Sequence, residues 1–238
     1  DIFSDTINNL GSFEYMQNLY ANGEGLNLKL GGIYRLNDNI KIGGALHTPT
    51  VFNIQEEFRT ITQANFTDTS YREYSPINFF EYELTTPWKA IASISANIDN
   101  RILLSADYEI IDYSTSKLRA NNLRNDDGTE IFYNENNNIE SNYGKTENIR
   151  LGVEYKMDTY SFRAGYIRNS SPLLENEEIL SENFSFGTGV NYGSYYFDLA
   201  YILSQRSDNY QMYNSEFINS TDLVYTNHNV VITLGLRY

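Results

Sequence analysis

A period of two, recurring in short runs, constrains this chain more than any other feature. In residues 223–238, Val230, Ile232, Leu234, Leu236 and Tyr238 share one parity, and Asn229, Val231, Thr233, Gly235 and Arg237 the other. Strand side chains alternate between faces, so this stretch is a ribbon with one apolar face and one small or polar face. The same division runs through eight earlier segments. Leu28, Leu30, Ile40, Ile42, Ile94, Leu104, Leu151, Val153, Phe184, Phe197 and Leu199 take the apolar parity. Lys29, Lys41, Lys89, Asp107, Glu109, Arg150, Glu154, Lys156, Arg163 and Asp198 take the other.

The segments come as hairpins: 25–35 with 40–48, 88–98 with 101–113, 148–157 with 160–168, and 184–192 with 195–205, before the last strand. Each hairpin turns on Asn, Asp or Gly (Asn37-Asp38-Asn39, Asp99-Asn100, Asp158-Thr159, Gly193-Ser194), which tolerate the positive φ of tight turns. Long polar stretches at 49–87, 114–147, 169–183 and 206–222 separate the hairpins. Strict alternation of tight turn and long loop predicts an antiparallel transmembrane β-barrel, with all long loops at one end. Tyr34, Tyr155, Tyr160, Tyr192, Tyr195 and Tyr238 keep the apolar parity close to tight turns or the C-terminus, as a lower aromatic girdle would. Tyr166 and Tyr201 fit an upper girdle or the lipid-facing wall. The competing reading is a soluble barrel whose tyrosines cap a core.

Nine strands are expected, the first entered from the long-loop side. Single-chain bacterial barrels have even strand numbers, so an odd number of strands is expected before Asp1. No signal-like segment opens the chain, which is expected of a mature or truncated product. Residues 1–24 read differently. Leu10, Phe13, Met16 or Gln17, and Tyr20 recur at helical spacing ahead of Gly23 and Gly25. The expected division is therefore 1–24, an extracellular loop segment with a short helix, and 25–238, the C-terminal part of a transmembrane β-barrel.

Composition removes other classes. There is no cysteine, hence no disulfide framework and no thiolate metal site. The net charge of −14 argues against a nucleic-acid partner. No run reaches the roughly 18 apolar residues of a membrane helix, which leaves a barrel open.

Some segments look familiar in order and spacing: His47-Thr48-Pro49, Thr86-Pro87-Trp88, Ala106-Asp107-Tyr108-Glu109-Ile110-Ile111-Asp112-Tyr113-Ser114, Arg163-Ala164-Gly165-Tyr166 and Ser171-Pro172. Together they resemble the C-terminal two-thirds of the FadL family of outer-membrane transport proteins, and the Asn- and Tyr-rich style is similar to Bacteroidota members. The terminal aromatic resembles the closing strand that barrel-assembly machinery recognises. The resemblance implies a fourteen-stranded barrel in the bacterial outer membrane, plugged by an N-terminal hatch and taking up fatty acids or other hydrophobic molecules. Five strands and the hatch would precede this chain.

Candidate chemistry follows from the inward parity. Ile33, Ile91, Leu103, Ile167, Tyr196, Ile202 and Val231 are apolar where a water-filled pore gains nothing from them. They suit a hydrophobic ligand path or packing against a hatch. Among the inward cations, Lys89, Arg150 and Arg163 are candidates to hold a ligand carboxylate. The alternative is mutual pairing with Asp107, Glu109, Glu154 and Asp198, since unpaired buried charges cost several kcal/mol. By the family analogy, Leu10, Phe13, Tyr20, Phe52 and Phe58 would belong to an external hydrophobic groove. Loop aromatics packing on one another is the plainer account. His47 and His228 lack the partners of a catalytic or metal site, so no enzyme activity, metal or cofactor is expected. Asn125-Asp126-Asp127-Gly128-Thr129-Glu130 has oxygen ligands but lacks the full calcium-loop pattern, and reads as a hairpin tip. The expected function is passive uptake of a hydrophobic small molecule or lipid, with the surrounding outer-membrane lipids as the other partner. The alternative is a non-transporting scaffold in a secretion or assembly complex, with partner proteins at the extracellular loops or the periplasmic face.

Overall fold

The computed structural model describes residues 10–120, 123–126, 128–174, 179–210, 212 and 219–236. In chain order the elements are β1 (Leu10–Leu26), β2 (Lys29–Arg35), β3 (Ile40–His47), β4 (Val51–Phe66), β5 (Ser70–Tyr74), β6 (Asn78–Thr85), β7 (Lys89–Ile98), β8 (Ile102–Asp112), β9 (Lys117–Arg119), helix α1 (Tyr133–Asn142), β10 (Lys145–Met157), β11 (Tyr160–Ser170), β12 (Ile179–Asn191), β13 (Tyr195–Tyr210) and β14 (Thr221–Leu236). The chain divides into two units, one of Asp1–Leu26, Thr50–Thr85 and Leu118–Tyr133, the other of the remainder.

The larger unit is the expected nine-stranded antiparallel sheet, in the order β2-β3-β7-β8-β10-β11-β12-β13-β14. Its tight turns sit where the sequence places them. Asp99 and Asn100 have φ of 50° and 56°, Asp158 has 53° and Gly193 has 78°. At the first turn, Asn37 Oδ1 accepts from the backbone N–H groups of Asn39 and Ile40, at 2.9 and 2.8 Å. β10, β12 and β13 run further toward the long-loop side than the sequence pattern shows.

Register gives the sheet its inclination. One row of cross-strand partners on the apolar face runs Tyr34, Ile42, Ile94, Ala106, Leu151, Tyr166, Phe184, Leu203. It starts beside the first tight turn and ends well above Tyr195, which follows the last one. Leu203 stands eight residues above Tyr195 and Tyr34 one above Arg35, so the row climbs seven residues across seven strand pairings. With the turns at one level, spacings of about 3.3 Å per residue and 4.8 Å per strand give a tilt of about 35°. Transmembrane barrels tilt by about 35–45°. At this tilt, the apolar band from Tyr155 to Glu147 or from Ile102 to Asp112 stands about 22–27 Å tall.

The apolar face is not packed into a core. Among the described residues, the buried hydrophobics are Ile61 and Ile111 alone. Leu28, Leu151 and Leu199 are 55%, 48% and 38% exposed, and Leu234 is 78% exposed. A water-soluble sheet would bury this face; a bilayer accepts it.

The smaller unit departs from expectation. Residues 10–26 form strand β1, paired along its length with β4, and not a helix. The stretch read as a long loop at 49–87 holds β4, β5 and β6. β1, β4, β6 and β9 make a sheet, with β5 added beside β4. Backbone pairing overrides the helical spacing here, because a sheet partner satisfies every N–H and C=O that a solitary short helix would leave marginal. The chain passes between the units around Pro49 and Pro87. Proline lacks the N–H that a ladder needs, so the strands are interrupted there.

Candidate functional site

The charged face of the nine-stranded sheet holds two ion-pair networks. In the first, Glu109 on β8 is 4% exposed and takes three donors from its two neighbours. Lys89 Nζ lies 3.3 Å from Oε2, while Arg150 Nη2 and Asn148 Nδ2 donate to Oε1 at 3.4 and 2.9 Å. In the second, Glu154 pairs with Lys156 at 3.1 Å and with Arg163 Nε at 2.5 Å. Arg163 Nη1 also reaches Asp198 at 2.6 Å, crossing from β11 to β13 over β12. Glycines on β12 make that crossing possible. Arg163 faces Gly187, and a Cβ on Gly189 would stand 2.2 Å from Asp198 Oδ1 and 3.1 Å from Arg163 Nη1. Lys89, Arg150 and Arg163 are thus matched within the protein. Lys29, Arg35 and Lys41 on β2 and β3 have no ion pair among the described residues.

Between the networks runs a row of small side chains, Ser95, Ser105, Gly152, Gly165 and Ser185. It forms a low trough across five strands. The apolar inward residues are distributed singly. Ile33 faces Gly43, Ile91 faces Ala45 and Glu109, Leu103 faces Asn97 and Glu154, and Ile167 faces Arg150 and Asn183. Ile202 faces Ser185 and Asn229, and Val231 faces Ala200. No two are direct partners, so this wall alone does not join them into a stripe. The Tyr196 ring lies over its partner Gly235, where a Cβ would fall 1.9 Å from Cζ.

On the apolar face, Val153, Tyr155, Phe162, Phe186, Leu199 and Tyr201 surround the smaller Ala164 and Thr188, leaving a depression of about 540 Å³. Toward its upper side, Tyr166 donates to Glu182 at 2.5 Å, and the Tyr201 hydroxyl meets His228 Nδ1 at 2.6 Å. Both tyrosines therefore turn their hydroxyls to polar groups, as an upper girdle does. Tyr34, Tyr155, Tyr160, Tyr192 and Tyr195 are exposed near the tight turns; Arg237 and Tyr238 lie outside the described residues.

In the smaller unit, Leu10, Phe13, Phe52 and Phe58 lie on one face with Tyr15, Leu19 and Ile54, while Tyr20 lies on the other. Phe13 and Leu19 are about 60% exposed (61% and 60%). The Phe52 ring covers Gly25, whose added Cβ would be 2.5 Å away. Phe80, Tyr82 and Phe132 pack on one another with centroids 5.5–5.8 Å apart. Tyr82 donates to Glu56 Oε1 at 2.8 Å; burial first, then that carboxylate, push its pKa above the ordinary phenol value. Leu19 and Ile54 are missed by the sequence reading, though Phe13, Tyr15 and Leu19 already share parity. The tip at 125–130 is a hairpin closed by its own bonds, including Asn125 N–H to Thr129 O at 2.9 Å; Asp127 lies outside the described residues. His47 stands between Lys29 and Lys89 in one row of the charged face.

No family model matches the sequence, and no curated protein does. Solved structures do. A toluene transporter of Pseudomonas putida, TodX, matches with a TM-score of 0.50 at 15% identity, over 94% of this chain and 53% of that one. The CymD monoaromatic hydrocarbon channel matches at 0.49 and 15% identity, over 75% of this chain and 46% of that one. A Pseudomonas aeruginosa FadL homologue matches at 0.42 and 12% identity, over 89% and 67%. This chain thus spans about half the length of the first two. The likeness is one of fold, and that fold is the antiparallel wall of a transmembrane β-barrel of the kind TodX has.

Proposed function

We propose that this chain is the C-terminal part of a FadL-type barrel in the bacterial outer membrane. It lets hydrophobic small molecules, long-chain fatty acids among them, diffuse inward without covalent chemistry. The observation that carries this is the two-faced wall: an exposed apolar face for lipid, and an opposite face on which Lys89, Glu109, Arg150, Glu154, Lys156, Arg163 and Asp198 are matched in ion pairs beside a trough of small residues. Pairing lowers the polarity of the inner surface, so an apolar solute meets a smaller barrier than in a pore of solvated charges. A fatty-acid head would find its countercharge at Lys29, next to His47, because Lys89, Arg150 and Arg163 are already engaged. Aromatic Phe13, Phe52 and Phe58, with the aliphatic Leu19 beside them, would gather the solute outside.

The test is mass spectrometry of lipid co-purifying with the full-length protein, alongside uptake of a labelled fatty acid and of labelled toluene by cells with and without it. Enrichment above an unrelated barrel, together with faster uptake, supports the proposal; neither effect would sink it. The exposed aromatic face of the smaller sheet favours one alternative, a scaffold whose partner covers that face. A co-purifying protein with no change in uptake would select it.

A further inference from the structure

Two hollows lie in line along β10 and β11 on the lipid-facing side of the wall. The lower is the apolar depression around Ala164 and Thr188, about 540 Å³. The upper, about 450 Å³, sits at the long-loop end, bordered by Lys145, Glu147 and Ile149 of β10, Arg168 of β11, and Leu173 and Leu174 beyond it. The segment after β11 is fixed to the start of β10: Gly144 N–H donates to Pro172 O at 2.8 Å, and Leu174 N–H to Asn142 O at 2.9 Å. Parity puts Lys145, Glu147, Ile149 and Arg168 on the face of Leu151 and Tyr166. The two hollows differ in chemistry. Lys145 and Arg168 border one space, and neither has an ion pair among the described residues. The carboxylates near them are engaged by hydroxyls: Glu147 by Tyr108, Glu182 by Tyr166 and Asp112 by Ser114. Two cations and one carboxylate leave the lining of the upper hollow one positive charge, the complement of a phosphodiester. Arg168 stands four residues above Ala164 on β11, about 13 Å along the strand. The hydrocarbon of one leaflet spans about 15 Å, half of a bilayer core of roughly 30 Å. A lipid with its headgroup in the upper hollow therefore reaches the depression with an acyl chain.

We propose that this face of β10–β13 is a site for one phosphate-bearing membrane lipid. Lys145 and Arg168 hold the phosphate, and an acyl chain lies down the wall over Leu151 into the depression. Arg168 offers a two-donor fork to the phosphate oxygens and Lys145 a point charge. A soluble anion would use the upper hollow alone, and a lipid without phosphate the lower alone. The two in line fit an amphiphile. The site opens on the side opposite the trough, so it rests on the wall facing a bilayer and not on the uptake reading.

Full-length protein in detergent micelles is incubated with palmitoyl-oleoyl phosphatidylglycerol or with palmitoyl-oleoyl glycerol, and retained lipid is counted by native mass spectrometry. One phosphatidylglycerol per chain is expected, held more tightly than the lipid without phosphate. Lys145→Gln or Arg168→Gln should weaken retention roughly tenfold or more. Ala164→Phe fills the depression and leaves both cations in place, and should weaken it too. Ala92→Phe, on the same face of β7, should leave retention unchanged. Uptake of a labelled hydrophobic compound should be unaltered by Arg168→Gln, which separates this site from the transport path. Equal retention of the two lipids, retention indifferent to both cation variants, binding of inorganic phosphate with no lipid retained, or a second copy of the chain in place of lipid overturns the site.

Discussion

Gly189 shows how much one missing side chain decides on the inner wall. Its neighbours occupy the volume a Cβ would need, and the nearest, Asp198 Oδ1, belongs to the pair that ties β13 to β11. Gly189→Val should push the Asp198 carboxylate aside and detach Arg163. Because both partners remain partly in solvent, the loss through this pair should be about 1 kcal/mol. A double-mutant cycle isolates it: the cost of Gly189→Val, read from urea unfolding in lipid vesicles, should be smaller in an Asp198→Ala background by about that amount. Equal costs in both backgrounds would mean that the glycine serves strand geometry and not the ion pair. Gly187, across from Arg163, extends the same cleared path. The sequence shows these glycines only as breaks in the alternation. Their purpose depends on a side chain two strands away, which no local pattern encodes.

At the scale of elements, the wall was legible and the smaller sheet was not, for a physical reason. A membrane wall needs one wholly apolar face, so Ile94 and Ser95, or Leu151 and Gly152, announce their faces residue by residue. β1 has no such demand. Phe13, Tyr15 and Leu19 share a face with Gln17, Ala21 and Gly23, and Met16 and Tyr20 occupy the other. The diluted alternation looks helical, and only pairing with β4 settles it. The same contrast predicts substitution costs. Ile94→Arg puts a charge on the lipid face of β7 and should destabilise the folded protein in vesicles by about 2–4 kcal/mol. Ser95→Arg, one residue on, faces the trough and should cost less than about 1 kcal/mol. Vesicle refolding midpoints check both. Similar costs at the two positions would contradict the assignment of faces.

For the whole molecule, the question is whether the smaller sheet gathers solute for the wall. Its two faces differ enough to ask this directly. Phe52 and Phe58 share a face with Phe13 and Leu19, while Tyr20, equally aromatic and equally a candidate from sequence, lies on the opposite face. If the apolar face captures the solute, Phe58→Ala should slow uptake of a labelled hydrophobic compound at low concentration by roughly fivefold, about 1 kcal/mol of lost contact. Tyr20→Ala should leave uptake unchanged. The slowing should vanish at saturating solute, because capture raises the local concentration and does not alter passage. Loss that persists at saturation would place Phe58 in the path itself, and equal loss in both variants would reduce the sheet to a structural support. The outcome turns on side-chain parity along β1 and β4, the property that also separates lipid from trough in the wall.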